Sequence, residues 1–242
     1  YATTIACVIG LTGLIPLIGG IALFLGNLTY YAFQYDTMPL PGLYLLSVTI
    51  LLVIGVLDDR FDISPALRAG IQAVLAGAMI YSGLELESLG QIIAPFSIKL
   101  GFFSLLFTVF ITIGVINAFN MVDGIDGLLA GLSSVSFAGI GALMWINGEH
   151  AIAYWCLAIV LTLIPYAMFN LSVFGTKWKV FMGDSGSTLI GFTIIWMLLL
   201  STQGQGHAIS PITGLWLIAV PLIDMVAVIF RRLKKGKSPF RP

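Results

Sequence analysis

A chain of 242 residues that is 59% hydrophobic and 9% charged, with a mean hydropathy of +1.04, is not a soluble domain, where about a quarter of the residues carry charge. A formal net charge of zero gives no basic character for nucleic-acid binding. Cys7 and Cys156 lie in apolar runs without pairing or ligand spacing, which argues against a disulfide framework or a thiolate metal centre.

A spanning helix needs about 20 mostly apolar residues, and the chain offers about nine such runs, the first of them partial. Residues 1–11 read as the tail of a first helix. Residues 14–34 follow, with Gly19-Gly20 allowing close helix approach, then residues 43–57 and residues 66–83, the latter opened by the helix-start pair Ser64-Pro65. Residues 84–100 differ. They are amphipathic, carry Glu85, Glu87 and Lys99, and include the turn-like Ser88-Leu89-Gly90, which predicts a small hairpin outside the bilayer. Residues 101–116, 128–145, 151–171, 188–201 and 211–230 complete the set, the last interrupted by Pro221 and Asp224. The expectation is an all-α polytopic membrane protein forming one integral-membrane domain over residues 1–242, incomplete at both ends and lacking a segment between residues 11 and 12.

Three polar clusters interrupt the apolar runs. The central one runs from Asn117 to Leu128 and places Asn117, Asn120, Asp123 and Asp126 within ten residues. Such groups are costly near lipid unless they have partners. If the preceding helix continues past Ile116, then Asn117, Asn120 and Asp123 share one broad face. Hard oxygen ligands of this kind suit Mg²⁺, which is usually held by one or two carboxylates plus substrate phosphates. The alternative is a helix-capping loop, which would account for one Asn and one Asp.

The second cluster is Asp58-Asp59 with Asp62. Asp58 and Asp62 share a helix face, so one aspartate can address a site while its neighbour is paired; the alternative is a solvated turn in which Asp59 pairs with Arg60 or Arg68. The third is Phe181-Met182-Gly183-Asp184-Ser185-Gly186-Ser187. Its glycines let a backbone approach a ligand. Ser185 or Ser187 is placed to cap the next helix, whose free amides favour phosphate. Asp184 beside a phosphate calls for a cation between them. Phe181 is either a lipid-facing or core aromatic or a surface for stacking a base, and Asn170 is either a structural amide or a ligand contact.

Numbering the spans fixes which loops share a side. One side receives Arg60, Arg68, Lys177, Lys179, Arg231, Arg232, Lys234, Lys235, Lys237 and Arg241; the other receives Lys99. This positive-inside bias makes the first side cytoplasmic. The same alternation brings Asp58, Asp59, Asp62, Asp123, Asp126 and Asp184 to that side.

At these three clusters the sequence resembles the polyprenyl-phosphate N-acetylhexosamine-1-phosphate transferases, multi-span Mg²⁺-dependent enzymes of the bacterial inner membrane that move a sugar-1-phosphate from a UDP-sugar to a polyprenyl phosphate and release UMP. The resemblance preserves the order of the motifs and covers most of the chain. Residues 13–20, Asp58-Asp59-Arg60-Phe61-Asp62 and Arg231-Arg232-Leu233 are most similar to members that use UDP-GlcNAc and undecaprenyl phosphate at the start of O-antigen and enterobacterial common antigen synthesis. Members that take MurNAc-pentapeptide typically carry lysine where this chain has Asp62. A His-rich motif expected after Ser238-Pro239-Phe240 and a basic loop between the first two helices are missing.

The resemblance implies a catalytic set of Asp58, Asp59, Asp123 and Asp126, with Asp58 as base or positioner of the acceptor phosphate. It implies Asp184 and Asn120 at Mg²⁺, with Mn²⁺ as a substitute, and Asn117, Asn170, Phe181, Gly183, Ser185 and Asp126 around the substrate, with Phe181 stacked on uracil. The partners implied are UDP-GlcNAc, undecaprenyl phosphate and the bilayer, with a homodimer left open. Direct attack on the sugar-linked phosphate competes with a two-step path through an aspartyl-phosphate on Asp58. A cation- or proton-coupled transporter is the competing class, but its ionisable groups would lie near the membrane midplane.

Overall fold

Apolar runs bounded by proline, glycine and asparagine dictate helices joined by tight turns, and the computed structural model, which describes residues 19–90, 98–203 and 208–236, has that form. Nine α-helices occur among the described residues: α1 (Gly19–Gln34), α2 (Pro41–Phe61), α3 (Pro65–Tyr81), α4 (Ser104–Val122), α5 (Leu128–Ile146), α6 (His150–Asn170), α7 (Gly183–Thr202), α8 (Pro211–Leu217) and α9 (Ala219–Lys234). Pro41 and Pro65 open α2 and α3 in their first turns, where the missing N–H costs nothing. Ser64 caps α3 by accepting from the Leu67 amide at 3.4 Å.

One helix is central. The apolar window of α7 is 94% buried, against 33% to 44% for the other four helices of spanning length. Large apolar side chains such as Phe33, Val74, Phe102 and Phe110 point outward from the surrounding helices. Small residues let the neighbours close on α7. A Cβ on Gly20 would meet the Gly186 backbone, one on Gly55 would overlap the Ser185 backbone, and one on Gly191 would come within 2.7 Å of the Ile116 Cα. Where no hydrophobic force draws helices together, close backbone packing of this kind holds them.

Among the described residues five helices are long and apolar enough to cross a membrane, and α8 with α9, bent by 70°, makes up to six; α3 has 17 residues, and α1 has 16 from Gly19 onward. The run over residues 1–11 and the start of the next lie outside the described residues. Helix α7 begins at Gly183 rather than residue 188, because Gly183 takes φ +74°, which turns the chain directly into the helix. The break in the last span falls at Ile218, ahead of Pro221. Pro221 has no N–H to give the Leu217 carbonyl, and Ser136 Oγ donates to that carbonyl instead at 2.8 Å.

Residues 84–90 and 98–100 form the expected chain reversal, with residues 91–97 outside the described set. The Leu89 amide donates to the Ile98 carbonyl at 3.0 Å and Ile98 returns to Gly90 at 3.1 Å, so Ser88-Leu89-Gly90 is one arm and not the turn. Gln203, just past α7, accepts from the Glu87 and Ser88 amides at 3.0 and 3.1 Å. The hairpin therefore sits at the end of the bundle opposite Gly183.

The close approach at Gly55 yields a prediction. Gly55→Val forces α2 away from α7, and overpacking of this kind costs about 1–3 kcal/mol. In detergent its thermal midpoint should fall by several degrees. Gly70→Ala, where a Cβ meets nothing within 4 Å, should leave the midpoint unchanged or raise it.

Candidate active site

The N-terminal end of α7 is where the polar clusters meet. The chain enters the helix through Met182 and Gly183, and the first-turn amides are taken by carboxylates from two other helices. Asp59, in the last turn of α2, accepts from the Asp184 amide at 2.9 Å. Asp123, just past the end of α4, lies near the Gly183 amide, which favours its charged form against the rise from burial. A Cβ on Gly183 would come within 2.8 Å of Asp59 Oδ2, so glycine is required there by space as well as by φ. The expectation that Ser185 or Ser187 caps this helix fails: both are fully buried inside the first turns, and Ser187 Oγ donates back to the Gly183 carbonyl at 3.0 Å. Negative groups suit the positive end of a helix dipole, so carboxylates from α2 and α4 do the capping.

With its backbone fixed, Asp184 presents its side chain at the mouth of the site, 36% exposed. Asn120 of α4 donates from Nδ2 to Asp184 Oδ1 and to Ser187 Oγ, the latter at 2.9 Å. Arg68 Nη1 of α3 lies 3.6 Å from Asp184 Oδ2 and is ion-paired with Asp58 Oδ2. Asp58 Oδ1 accepts from the Ile63 amide at 2.8 Å, which fixes the turn between α2 and α3. Asp58 is thus buried with both oxygens committed. Arg68 pairs with Asp58, not with Asp59 as the solvated-turn alternative had it. Burial pushes the Asp123 carboxyl up to about 7, and the Asp184 charge adds to the rise.

A second group lies beside the first. Asp126 is ion-paired with Lys179 at 2.6 Å, and the Lys179 ammonium stands 5.1 Å from the centre of the Phe181 ring. Asn170, buried at the end of α6, accepts from the Gly127 amide at 2.6 Å and donates to the Val180 carbonyl at 2.9 Å. Its amide therefore staples the Asp126 loop to the segment before α7. Asn117 donates to Gln72 Oε1 at 3.0 Å and to the Ile113 carbonyl at 2.8 Å, a link between α4 and α3.

Among the described residues no three His, Cys, Asp or Glu side chains converge to hold an ion unaided. Asp184 offers hard carboxylate oxygens, and Asn120, which meets Asp184 through Nδ2, would offer its carbonyl oxygen to a cation once its amide is turned over, with Asp123 close enough to feel the Asp184 charge. Two such groups fit a Mg²⁺ whose remaining positions are filled by phosphate oxygens and water.

The glycosyl transferase family 4 model matches residues 42–202, from the start of α2 to the end of α7. The chain belongs to that family. It is 63% identical over 232 residues to a protein of Haemophilus influenzae and 62% identical over 232 residues to one of Pasteurella multocida, in each case covering 95% of this chain and 65% of the relative. A relative from Escherichia coli K12 is 53% identical over 231 residues, 95% of this chain and 63% of its own length. All three are named undecaprenyl-phosphate alpha-N-acetylglucosaminyl 1-phosphate transferase. The chain thus spans a little under two thirds of the length of these curated relatives. With its apolar helices, this membership marks a multi-pass membrane protein.

Sequence reasoning named Arg68 as an alternative partner for Asp59 and placed it, with Lys179, among the cations on the acidic side. The signal for Arg68 was its position in the first turn of the helix that follows Asp58, where a cation faces back toward the preceding helix end. The Asp58–Arg68 pair yields a prediction. Removing one partner of a buried pair costs about 3–5 kcal/mol, so Arg68→Met should lower the thermal midpoint strongly. Asp58→Asn combined with Arg68→Met should lose much less than the two single losses added together, as read by melting in detergent.

Proposed function

We propose that the protein transfers GlcNAc-1-phosphate from UDP-GlcNAc to undecaprenyl phosphate, giving undecaprenyl-diphosphate-GlcNAc and UMP. The observation that carries this reading is the meeting of Asp184, Asn120 and Arg68 at the capped end of α7, in a chain whose relatives are named for that transfer. The basic residues of α9, together with Lys177 and Lys179, argue that this end faces the cytoplasm of the bacterial inner membrane. The described residues 84–90 and 98–100 then lie on the periplasmic side. The transfer is the first membrane step of O-antigen or enterobacterial common antigen type glycan synthesis.

The acceptor is a phosphate monoester with a second pKa near 6, mostly dianionic at pH 7 and nucleophilic without a base. The obstacle is charge: two unit charges about 4 Å apart repel by about 4 kcal/mol at an effective dielectric of 20. Arg68, held by Asp58, sets a cation beside Asp184, where the phosphates meet. Mg²⁺, or Mn²⁺ in its place, would be held by Asp184 and Asn120 and would supply charge neutralisation for the diphosphate and the departing UMP. Asp59 and Asp123 act earlier, by fixing the turn that presents Asp184. An acceptor phosphate oxygen bonds to the sugar-linked phosphorus as the bond from that phosphorus to the UMP oxygen breaks. Asp58 is buried with both oxygens bonded, which favours this direct attack over an aspartyl-phosphate. The tail reaches the site from lipid and the nucleotide from water.

Full-length protein in detergent with undecaprenyl phosphate should release UMP and form lipid-linked sugar from UDP-GlcNAc, and not from UDP-GalNAc or UDP-MurNAc-pentapeptide. EDTA should abolish the reaction, and Asp184→Asn should slow it by at least about a hundredfold. No release from any donor by folded protein, together with substrate flux in liposomes, would favour a transporter. With a donor chiral at the transferred phosphorus, inversion is expected; retention would point to the aspartyl-phosphate.

A further inference from the structure

The catalytic end of α7 uses Asp58, Asp59, Asp123 and Asp184, which leaves one charged pair unexplained. Lys179 and Asp126 meet at 2.6 Å, with the Lys179 side chain 19% exposed and that of Asp126 47% exposed. A half-exposed pair of this kind adds little to stability. Its geometry serves another purpose. The same ammonium lies over the Phe181 ring at 5.1 Å, so a single side chain fixes both the carboxylate and the aromatic ring. Beneath it, Asn170 ties the Gly127 amide to the Val180 carbonyl, at 2.6 and 2.9 Å. The Asp126 loop and the segment entering α7 are therefore clamped from two sides into one wall beside Asp184. Lys177, two residues earlier, stands 5.9 Å over the exposed Trp178 ring and has no such carboxylate partner among the described ion pairs.

We propose that Lys179 is a positioning residue for the donor: it holds Asp126 and the Phe181 ring together as a preformed surface for a uracil nucleotide, and so sets donor affinity rather than the rate of phosphoryl transfer. This rests on the transferase reading of the site. A flat base needs a ring to stack on and an acceptor for its N–H, and the wall offers both. A wall already ordered before binding gains affinity, because the ligand need not order it. Lys179 meets Asp126 and Phe181, whereas Asp184 meets Asn120 and Arg68. Loss of Lys179 should therefore be felt at the nucleotide and not at the reacting phosphates.

The test uses the full-length protein in detergent with undecaprenyl phosphate and UDP-GlcNAc, and separately measures UMP binding by calorimetry. Lys179→Met should raise the donor KM and the UMP Kd together by about tenfold, with kcat within threefold. Lys179→Arg, which keeps the cation, should restore both to within threefold. Asp126→Asn should resemble Lys179→Met, and the double variant should be no worse than the weaker single variant, because the two residues act as a unit. Lys177→Met should change neither quantity. The proposal is overturned if folded Lys179→Met keeps its KM and UMP affinity within twofold, if it lowers kcat alone, or if the two single effects multiply. Should the wild type release no UMP from UDP-GlcNAc, the transferase reading fails by itself. The UMP-binding arm still decides the role of Lys179.

Discussion

The architecture depends on one close approach: the first turns of α7 packed backbone to backbone against α1 and α2. Gly20, Gly55 and Gly186 make it sterically possible. A buried helix in a membrane bundle gains little from hydrophobicity, since lipid tails are as apolar as its neighbours, so its position rests on contact and on polar links. Both kinds occur here at the same end. The turn that starts α7 is pressed against α2 by glycine and bonded to it through Asp59. Wherever α7 is placed, Asp184 is placed with it.

That end carries a charge problem which the protein solves in pairs. Five carboxylates, Asp58, Asp59, Asp123, Asp126 and Asp184, gather around one helix start. Arg68 offsets Asp58 and part of Asp184; Lys179 offsets Asp126. Asp59 and Asp123 are directed onto backbone amides at the positive end of α7. Burial pushes the Asp123 carboxyl up to about 7, and the neighbouring charges of Asp184 and Asp59 add to the rise. A cation drawn to Asp184 would offset the part of that rise that comes from the Asp184 charge. The Asp184 amide is already taken by Asp59, so side-chain cations and a metal are better suited than that amide to receive phosphate.

Much of this was legible in the sequence, for a physical reason. Polar groups inside apolar sequence are expensive, so Asp58-Asp59, Asn117 to Asp126 and residues 181–187 stood out without any structure, and the alternation of spans brought them to one side. Helix pairing was not legible. Asn117 and Asn170 read equally well as ligand contacts, and their partners Gln72, Gly127 and Val180 lie 45, 43 and 10 residues away. The start of α7 was misplaced because its cap comes from another helix: a local search for a capping serine finds Ser185 and Ser187 and misses Asp59. The 70° bend between α8 and α9 was misplaced because hydropathy registers apolar length and not where a run breaks.

The account holds that the capped start of α7 is where metal and diphosphate meet. Anomalous diffraction from crystals of the full-length protein grown with Mn²⁺ and UDP tests this directly. The account predicts one strong Mn²⁺ peak touching Asp184 and Asn120, with the diphosphate between it and Arg68 and the uracil against Phe181. A metal or nucleotide bound at the opposite end of the bundle, or a diphosphate seated away from Asp184, would contradict it.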